Sequence, residues 1–181
     1  MALTAKPVRL FCPGFGEITR LLKSAFPKKE QTPMFLLLLG ALRKSTHFTA
    51  FYDGDKFVGL LYTVENDRYC FILYLAVNPQ MRSGGIGGGI LDHAYEQAGD
   101  KIIVLNVEPP DPAADNREQR ERRIAFYARH GICETGYGFA MDGVAYSVLA
   151  SDTKKFTTKA YSDMLGGIQL RTKSTSQERL F

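Results

Sequence analysis

The pattern of apolar and polar positions divides the chain into helical segments at its start and a strand-rich centre. Across residues 16–26 the apolar positions are Ile18, Leu21, Leu22 and Ala25, the spacing of one helix face. Pro27 closes this segment, and Pro33 sits where a first helical turn accepts proline, so a second helix is predicted from there to about Lys44. Its apolar run, residues 34–42, is about half the length of a membrane span and reads as a buried core helix. A helix lining the mouth of an apolar substrate site is the alternative. Residues 8–11 read as a short first strand.

The period then changes. Residues 48–52, 57–64 and 69–77 are rich in aromatic and β-branched side chains. Asp53-Gly54-Asp55 and Glu65-Asn66-Asp67-Arg68 separate them with turn compositions, which predicts an antiparallel meander. A helical pattern returns at Ile86, Ile90, Leu91, Ala94, Tyr95 and Ala98. A buried strand at 102–107 follows, then a proline-containing loop and a charged helix over 115–130. Two closing strands are predicted at 137–141 and 144–149, and a short helix at 156–165. The result is an α/β (α+β) chain with a mixed, mostly antiparallel sheet of about six to seven strands flanked by about four helices. Residues 1–170 form one domain, and 171–181 form a polar tail with little to bury, expected to be mobile.

Composition narrows the function classes. The 181 residues are 45% hydrophobic and 23% charged, as in ordinary globular domains. A net charge of +4, with Lys and Arg dispersed, argues against nucleic-acid binding and leaves room for a basic anion site. The apolar run at 34–42 lies inside the chain, without the basic start and cleavage site of a signal peptide, and neither membrane nor nucleic acid is an expected partner. Cys12, Cys70 and Cys133 lack metal-ligand spacing and read as reduced thiols of a cytoplasmic protein. His47, His93 and His130 are equally scattered, so no metal is expected.

Residues 75–91 are the most informative. A strand ends, a glycine-dense turn follows, and an amphipathic helix begins at once. A helix start offers unpaired N–H groups and a positive dipole end, which attract phosphate. Glycine lets the backbone approach it, and Arg82 adds a forked cationic donor. Glycines at 84, 85, 87, 88 and 89 would be costly in a purely structural helix start, which is the competing explanation. A Walker loop fails because Ile90 and Leu91 follow Gly89 where Lys and Ser or Thr are required. The dinucleotide fingerprint Gly-x-Gly-x-x-Gly fails in both registers tested.

Arg82-Ser83-Gly84-Gly85-Ile86-Gly87 matches Gln/Arg-x-x-Gly-x-Gly/Ala and resembles the acetyl-CoA signature of the GCN5-related N-acetyltransferase (GNAT) family. The resemblance extends over about residues 48–149. It implies that the backbone amides from Arg82 to Gly87 bind pyrophosphate and that Leu75 and Val77 pair with the pantetheine arm as an added strand. The implied cofactor-binding set is Leu75, Ala76, Val77, Arg82, Ser83, Gly84, Gly85, Ile86, Gly87 and Gly88, with acetyl-CoA (CoA) as cosubstrate.

A second stretch, residues 126–132, resembles the family signature Tyr-x-x-x-Gly-Phe, with Ile132 in place of Phe and Gly131 placed for a left-handed helix stop. The resemblance implies that Tyr127 reprotonates the departing CoA thiolate; an aromatic anchor is the structural alternative. Arg120 and Arg123 stand where the family often carries Asn and Ala. The arginines at 120, 122 and 123 form a solvated face or meet an anionic group. Asn116 with Gln119 reads as a helix-capping pair. Glu108, at the end of the strand 102–107, is a candidate general base, with an ammonium anchor or an ion pair to the arginine helix as alternatives.

Together these features imply direct transfer of an acetyl group from acetyl-CoA to a primary amine of a small molecule or peptide. A non-catalytic acyl-CoA sensor is the first alternative, and a domain for another phosphate ligand the second. The closing strands and residues 156–165 offer a surface for a homodimer.

Overall fold

The computed structural model describes residues 3–81, 84–141, 143–169 and 178–179. The chain divides into two compact units, Met1–Glu65 with Ile72–Gly99 and Asn66–Phe71 with Asp100–Phe181. Arg82 and Ser83 lie outside the described residues, as does most of the segment expected to be a tail.

The first unit contains β1 (Thr4–Pro7), α1 (Phe15–Ala25), α2 (Met34–Gly40), β2 (Thr46–Asp53), β3 (Lys56–Glu65), residues 72–77 of β4 (Tyr69–Val77) and α3 (Ile86–Ala98). Its strands follow the order β1-β2-β3-β4. The meander read from the aromatic and β-branched runs is present. Asp53 pairs with Lys56 across a turn in which Gly54 takes φ +59°, the left-handed backbone such a hairpin needs. Ile18, Leu21 and Leu22 of α1 and Leu37 of α2 pack with Phe48, Ala50, Leu60, Tyr62 and Tyr74 into one core. Phe48 and Tyr62 meet edge-on at 5.3 Å, a favourable aromatic geometry.

Two expectations for this unit need correction. The first strand is Thr4–Pro7 rather than 8–11. Its residues are all exposed, so burial leaves no apolar signature there, while the apolar Val8 to Phe11 turn away instead. Only Val8 is buried, and Phe11 is 87% exposed with φ +62°. Helix α2 stops at Gly40, because the amides of Leu42 and Arg43 bond three residues back and tighten the chain into turns. It is also one-sided: Leu37 is buried, whereas Phe35, Leu39 and Leu42 are 60–81% exposed.

The second unit contains the start of β4, β5 (Ile102–Val107), α4 (Arg117–Arg129), β6 (Cys133–Met141), β7 (Val144–Ala150), α5 (Thr158–Gln169) and β8 (Glu178–Arg179). The strand order is β4-β5-β7-β6-β8. β4 and β5 pair in parallel, from Tyr69 with Ile102 to Phe71 with Val104. β5–β7, β6–β7 and β6–β8 are antiparallel, so strand pairing is mixed and mostly antiparallel. β6 begins earlier than its apolar alternation indicates, because a register shift between Glu134 and Gly138, with Gly136 at φ +75°, interrupts the period. α5 is longer than expected and is the fifth α-helix among the described residues. Glu178 and Arg179, read as tail, form a short strand on β6 through backbone pairing that polar side chains do not advertise.

Among the described residues no helix is long and apolar enough to cross a membrane. Cys12, Cys70 and Cys133 are all free thiols.

Candidate active site

The glycine-rich turn belongs to the first unit. Asn78, directly after β4, holds its beginning. The Asn78 amide donates to the Val58 carbonyl at 2.8 Å, its side-chain nitrogen donates to the Phe57 carbonyl, and its Oδ1 accepts from the Gln80 amide. Asn78 has no role among the expectations from sequence; an Asn directly ahead of Pro79 in a tight turn is the signal that points to it. Behind the turn, Gly59 lets β3 run close to β4 and α3. A Cβ there would lie 2.7 Å from both the Ala76 carbonyl oxygen and Ile90 Cδ1.

Gly85 is the N-cap of α3 at φ +72°, and its carbonyl accepts from the Gly89 amide. The amides of Ile86, Gly87 and Gly88 therefore have no acceptor within the helix. The first turn of this 13-residue helix carries no acidic residue, and Ile86 is buried beneath it. A Cβ added at Gly84 or Gly85 would meet nothing within 4 Å. Gly89 differs, since a Cβ there would come within 3.1 Å of Leu3. The glycine run thus contains two kinds of position, one open and one packed. An open turn of backbone donors at a helix start, free of carboxylates, fits a pyrophosphate. On β4, Leu75 and Val77 are half-buried and alternate with buried Ala76.

The second unit holds Tyr127 and Glu108. Tyr127 is on the last turn of α4, where its carbonyl accepts from the amides of both His130 and Ile132. Gly131 ends the helix at φ +76°, as its placement predicts. The Tyr127 ring is buried. Every other buried tyrosine donates its hydroxyl to an acceptor: Tyr52 to Pro13, Tyr62 to Leu37, Tyr69 to Thr157, Tyr74 to Glu30 and Tyr161 to Asn106. The hydroxyl of Tyr127 has no protein partner among the described residues. No side-chain oxygen or nitrogen described is both shut from solvent and unpartnered, so this hydroxyl reaches the surface. Burial pushes the Tyr127 phenol up to about 12, and the nearby Arg123 cation acts in the opposite direction.

Glu108 follows β5 and is already engaged: its Oε2 lies 3.3 Å from Arg120 Nη2, with both side chains about one-seventh exposed. The other Arg120 donors go to Asn116 Oδ1 and the Pro109 carbonyl. This corrects the expected capping pair. Asn116 occupies the N-cap position, but its side chain makes no capping bond because Arg120, one turn on, takes its oxygen. Nearby, Asn106 of β5 accepts from the buried Tyr161 hydroxyl, a tie with no sequence signal, since α5 is distant in the chain.

Comparison with known proteins gives a consistent result. The description "Acetyltransferase (GNAT) family" matches residues 15–132. Comparison with curated protein sequences yields no match. Among solved structures, a Bacteroides thetaiotaomicron protein assigned to the GNAT acetyltransferases is similar at TM-score 0.70 and 22% identity, over 92% of this chain and 96% of that one. An Arabidopsis thaliana protein in complex with the bisubstrate analogue CoA-Ac-MVNAL matches at 0.62 and 19%, over 86% and 100%. The aminoglycoside 6'-N-acetyltransferase of Enterococcus faecium matches at 0.59 and 13%, over 85% and 99%. Identities this low establish a shared fold.

Proposed function

The chain belongs to the GNAT acetyltransferase family, and from that premise we propose that it moves the acetyl group of acetyl-CoA directly to a primary amine of a small molecule or peptide. The observation that carries this reading is the Tyr127 hydroxyl, the one buried phenol that gives its proton to no protein acceptor among the described residues. A phenol protonated across the working pH range is suited to deliver a proton to a departing thiolate.

In the proposed reaction the amides from Arg82 to Gly88 take the CoA pyrophosphate, and the backbone of Leu75, Ala76 and Val77 takes the pantetheine arm. The neutral amine attacks the acetyl carbonyl, the C–S bond breaks, and sulfur receives the Tyr127 proton. Catalysis then rests on orientation and on proton delivery at sulfur. Glu108, directly after β5, remains the candidate for handling the amine proton, and its ion pair with Arg120 favours an anchoring role over that of base. An aminoglycoside 6'-N-acetyltransferase and a protein bound to the bisubstrate analogue CoA-Ac-MVNAL both share the fold, which supports keeping both acceptor classes. Three free cysteines support a cytoplasmic setting.

The test is CoA release from acetyl-CoA across a panel of primary amines, with the acetylated product identified by mass. Amine-dependent release supports the proposal. Thermal stabilisation by CoA with no turnover on any amine would leave a binding module and overturn it.

A further inference from the structure

Helix α4 spends its arginines unequally. Arg117 pairs with Glu121 at 2.8 Å and Arg122 with Glu118 at 3.2 Å, both along the exposed helix surface. Arg120 divides its donors among Glu108, Asn116 and Pro109. Arg123 is half-buried yet has no ion pair or hydrogen bond among the described residues. It lies four residues before Tyr127, and helical side chains lean toward the N-terminus, so the Tyr127 ring leans back over the turn that Arg123 occupies.

We propose that Arg123 is a positioning residue for proton delivery, its unpaired guanidinium opposing the negative charge that appears when the Tyr127 phenol releases its proton. This rests on the assignment of Tyr127 as the proton donor. In that step the amine nitrogen bonds the acetyl carbon, the C–S bond breaks, and the phenolic proton passes to sulfur, leaving CoA thiol and a tyrosinate. The proton lost by the amine nitrogen returns through solvent to the tyrosinate. A buried tyrosinate is costly, and a fixed cation one turn away offsets part of that cost without reorganising. Burial and Arg123 are the two influences that set this phenol apart from a free one. His130, directly after α4, bonds the Phe126 carbonyl, and β6, packed against α4, begins with the exposed Cys133 and Glu134. The family's frequent alanine at this place could not supply the charge.

The experiment is a double-mutant cycle under single-turnover conditions. Arg123→Gln should lower the rate by about 3- to 10-fold while the acetyl-CoA-dependent melting shift stays intact. Arg123→Lys, which keeps a cation, should recover most of the rate. In a Tyr127→Phe background Arg123→Gln should cost nothing further, since the charge it opposes no longer forms. Losses that multiply in the double variant, a wild-type rate for Arg123→Gln, or no recovery with Lys would each overturn the proposal. Should Arg123→Gln not fold, Arg123→Met, which keeps the aliphatic stem and loses the charge, carries the same decision, alone and on Tyr127→Phe. A wild-type rate for Tyr127→Phe itself removes the proton-donor assignment and this inference with it. A slow Tyr127→Phe beside a wild-type Arg123→Gln removes only this inference.

Discussion

The starts of α3 and the end of α4 carry the two family signatures by opposite means. α3 offers backbone: an open turn through Gly84 and Gly85, three amides without helical acceptors, and no carboxylate in the first turn. α4 offers side chains: a row of arginines, most tied to acids or carbonyls, and one buried phenol whose hydroxyl has no protein partner among the described residues. A backbone site depends on the absence of side-chain atoms, so almost any added carbon damages it. A side-chain site depends on single functional atoms, so it is damaged by removing them. The two regions should therefore respond to different substitutions.

The largest effect is expected at the side-chain site. Tyr127→Phe keeps the ring and loses one oxygen, so CoA-dependent stabilisation should persist while the single-turnover rate falls by roughly 10²–10⁴. A folded variant with a wild-type rate would reduce Tyr127 to packing. The same residue contributes to the loss of stability at alkaline pH, together with Tyr52, Tyr74 and Tyr161, whose phenols burial also raises. The Tyr127 folded pKa of about 12 stands above the ordinary 10.0, so its stabilising contribution is complete below pH 10 and is lost as pH rises from 10 to 12. Wild type should lose more stability than Tyr127→Phe between denaturant melts at about pH 9.5 and about pH 11.5, an interval that covers most of that window.

The next effect belongs to the backbone site, where two glycines separate ligand approach from folding. Gly84 has no positive φ and open space around its missing Cβ, so Gly84→Val should leave the free protein's melting temperature within about 2 °C. The same change should abolish most of the stabilisation by CoA, because the valine methyls occupy the ground the phosphate needs. Undiminished CoA affinity would refute the loop assignment. Gly89→Ala is the smaller counterpart. Helix propensity favours alanine by about 1 kcal/mol, and a methyl 3.1 Å from the flexible end of Leu3 opposes that gain. Stability should change by less than about 1 kcal/mol, with CoA binding untouched. Loss of binding would show that the open part of the turn extends through Gly89.

What the sequence disclosed follows the same division. The glycine turn, its strand and its helix were legible because backbone chemistry is written in residue type and order: Gly85 had to be small and left-handed, and Gly131 had to end α4. The strand at 102–107 was read to the residue because its side chains are nearly all buried and apolar. The edge strand Thr4–Pro7 and the Glu178–Arg179 bridge escaped, since backbone pairing at a sheet edge asks little of the side chains. The ion pair of Glu108 with the arginine helix was among the readings offered, whereas Asn78, Tyr161 and the ties of Arg120 to Asn116 and Pro109 escaped for another reason. Their roles lie in hydrogen bonds to residues distant in sequence or to carbonyls, which no spacing records.

Glu108 is where side-chain chemistry and side-chain architecture compete, and the smallest rate effect is expected there. Its carboxylate is held by Arg120, which is itself fixed by Asn116 and Pro109, so the pair closes the connection between β5 and α4. With both side chains mostly buried, breaking one partner leaves the other poorly solvated, a loss of about 1–3 kcal/mol in folding stability. Glu108→Gln keeps the shape and one acceptor oxygen, so its cost should fall at the lower end of that range. If Glu108 serves architecture, kcat should change by less than about threefold, which corresponds to under 1 kcal/mol. The rise of rate with pH should then keep its shape, because that rise would come from the substrate amine losing its proton. KM rising alone would mark Glu108 as an ammonium anchor. A kcat loss of about 100-fold with a flattened alkaline rise would instead make it the base, and Arg120 would then have to release it during turnover. Arg120→Gln separates these outcomes further: it also loses the bonds to Asn116 and Pro109, so it should cost at least the stability that Glu108→Gln costs if the pair is architectural, and it should leave a basic Glu108 active if it is not.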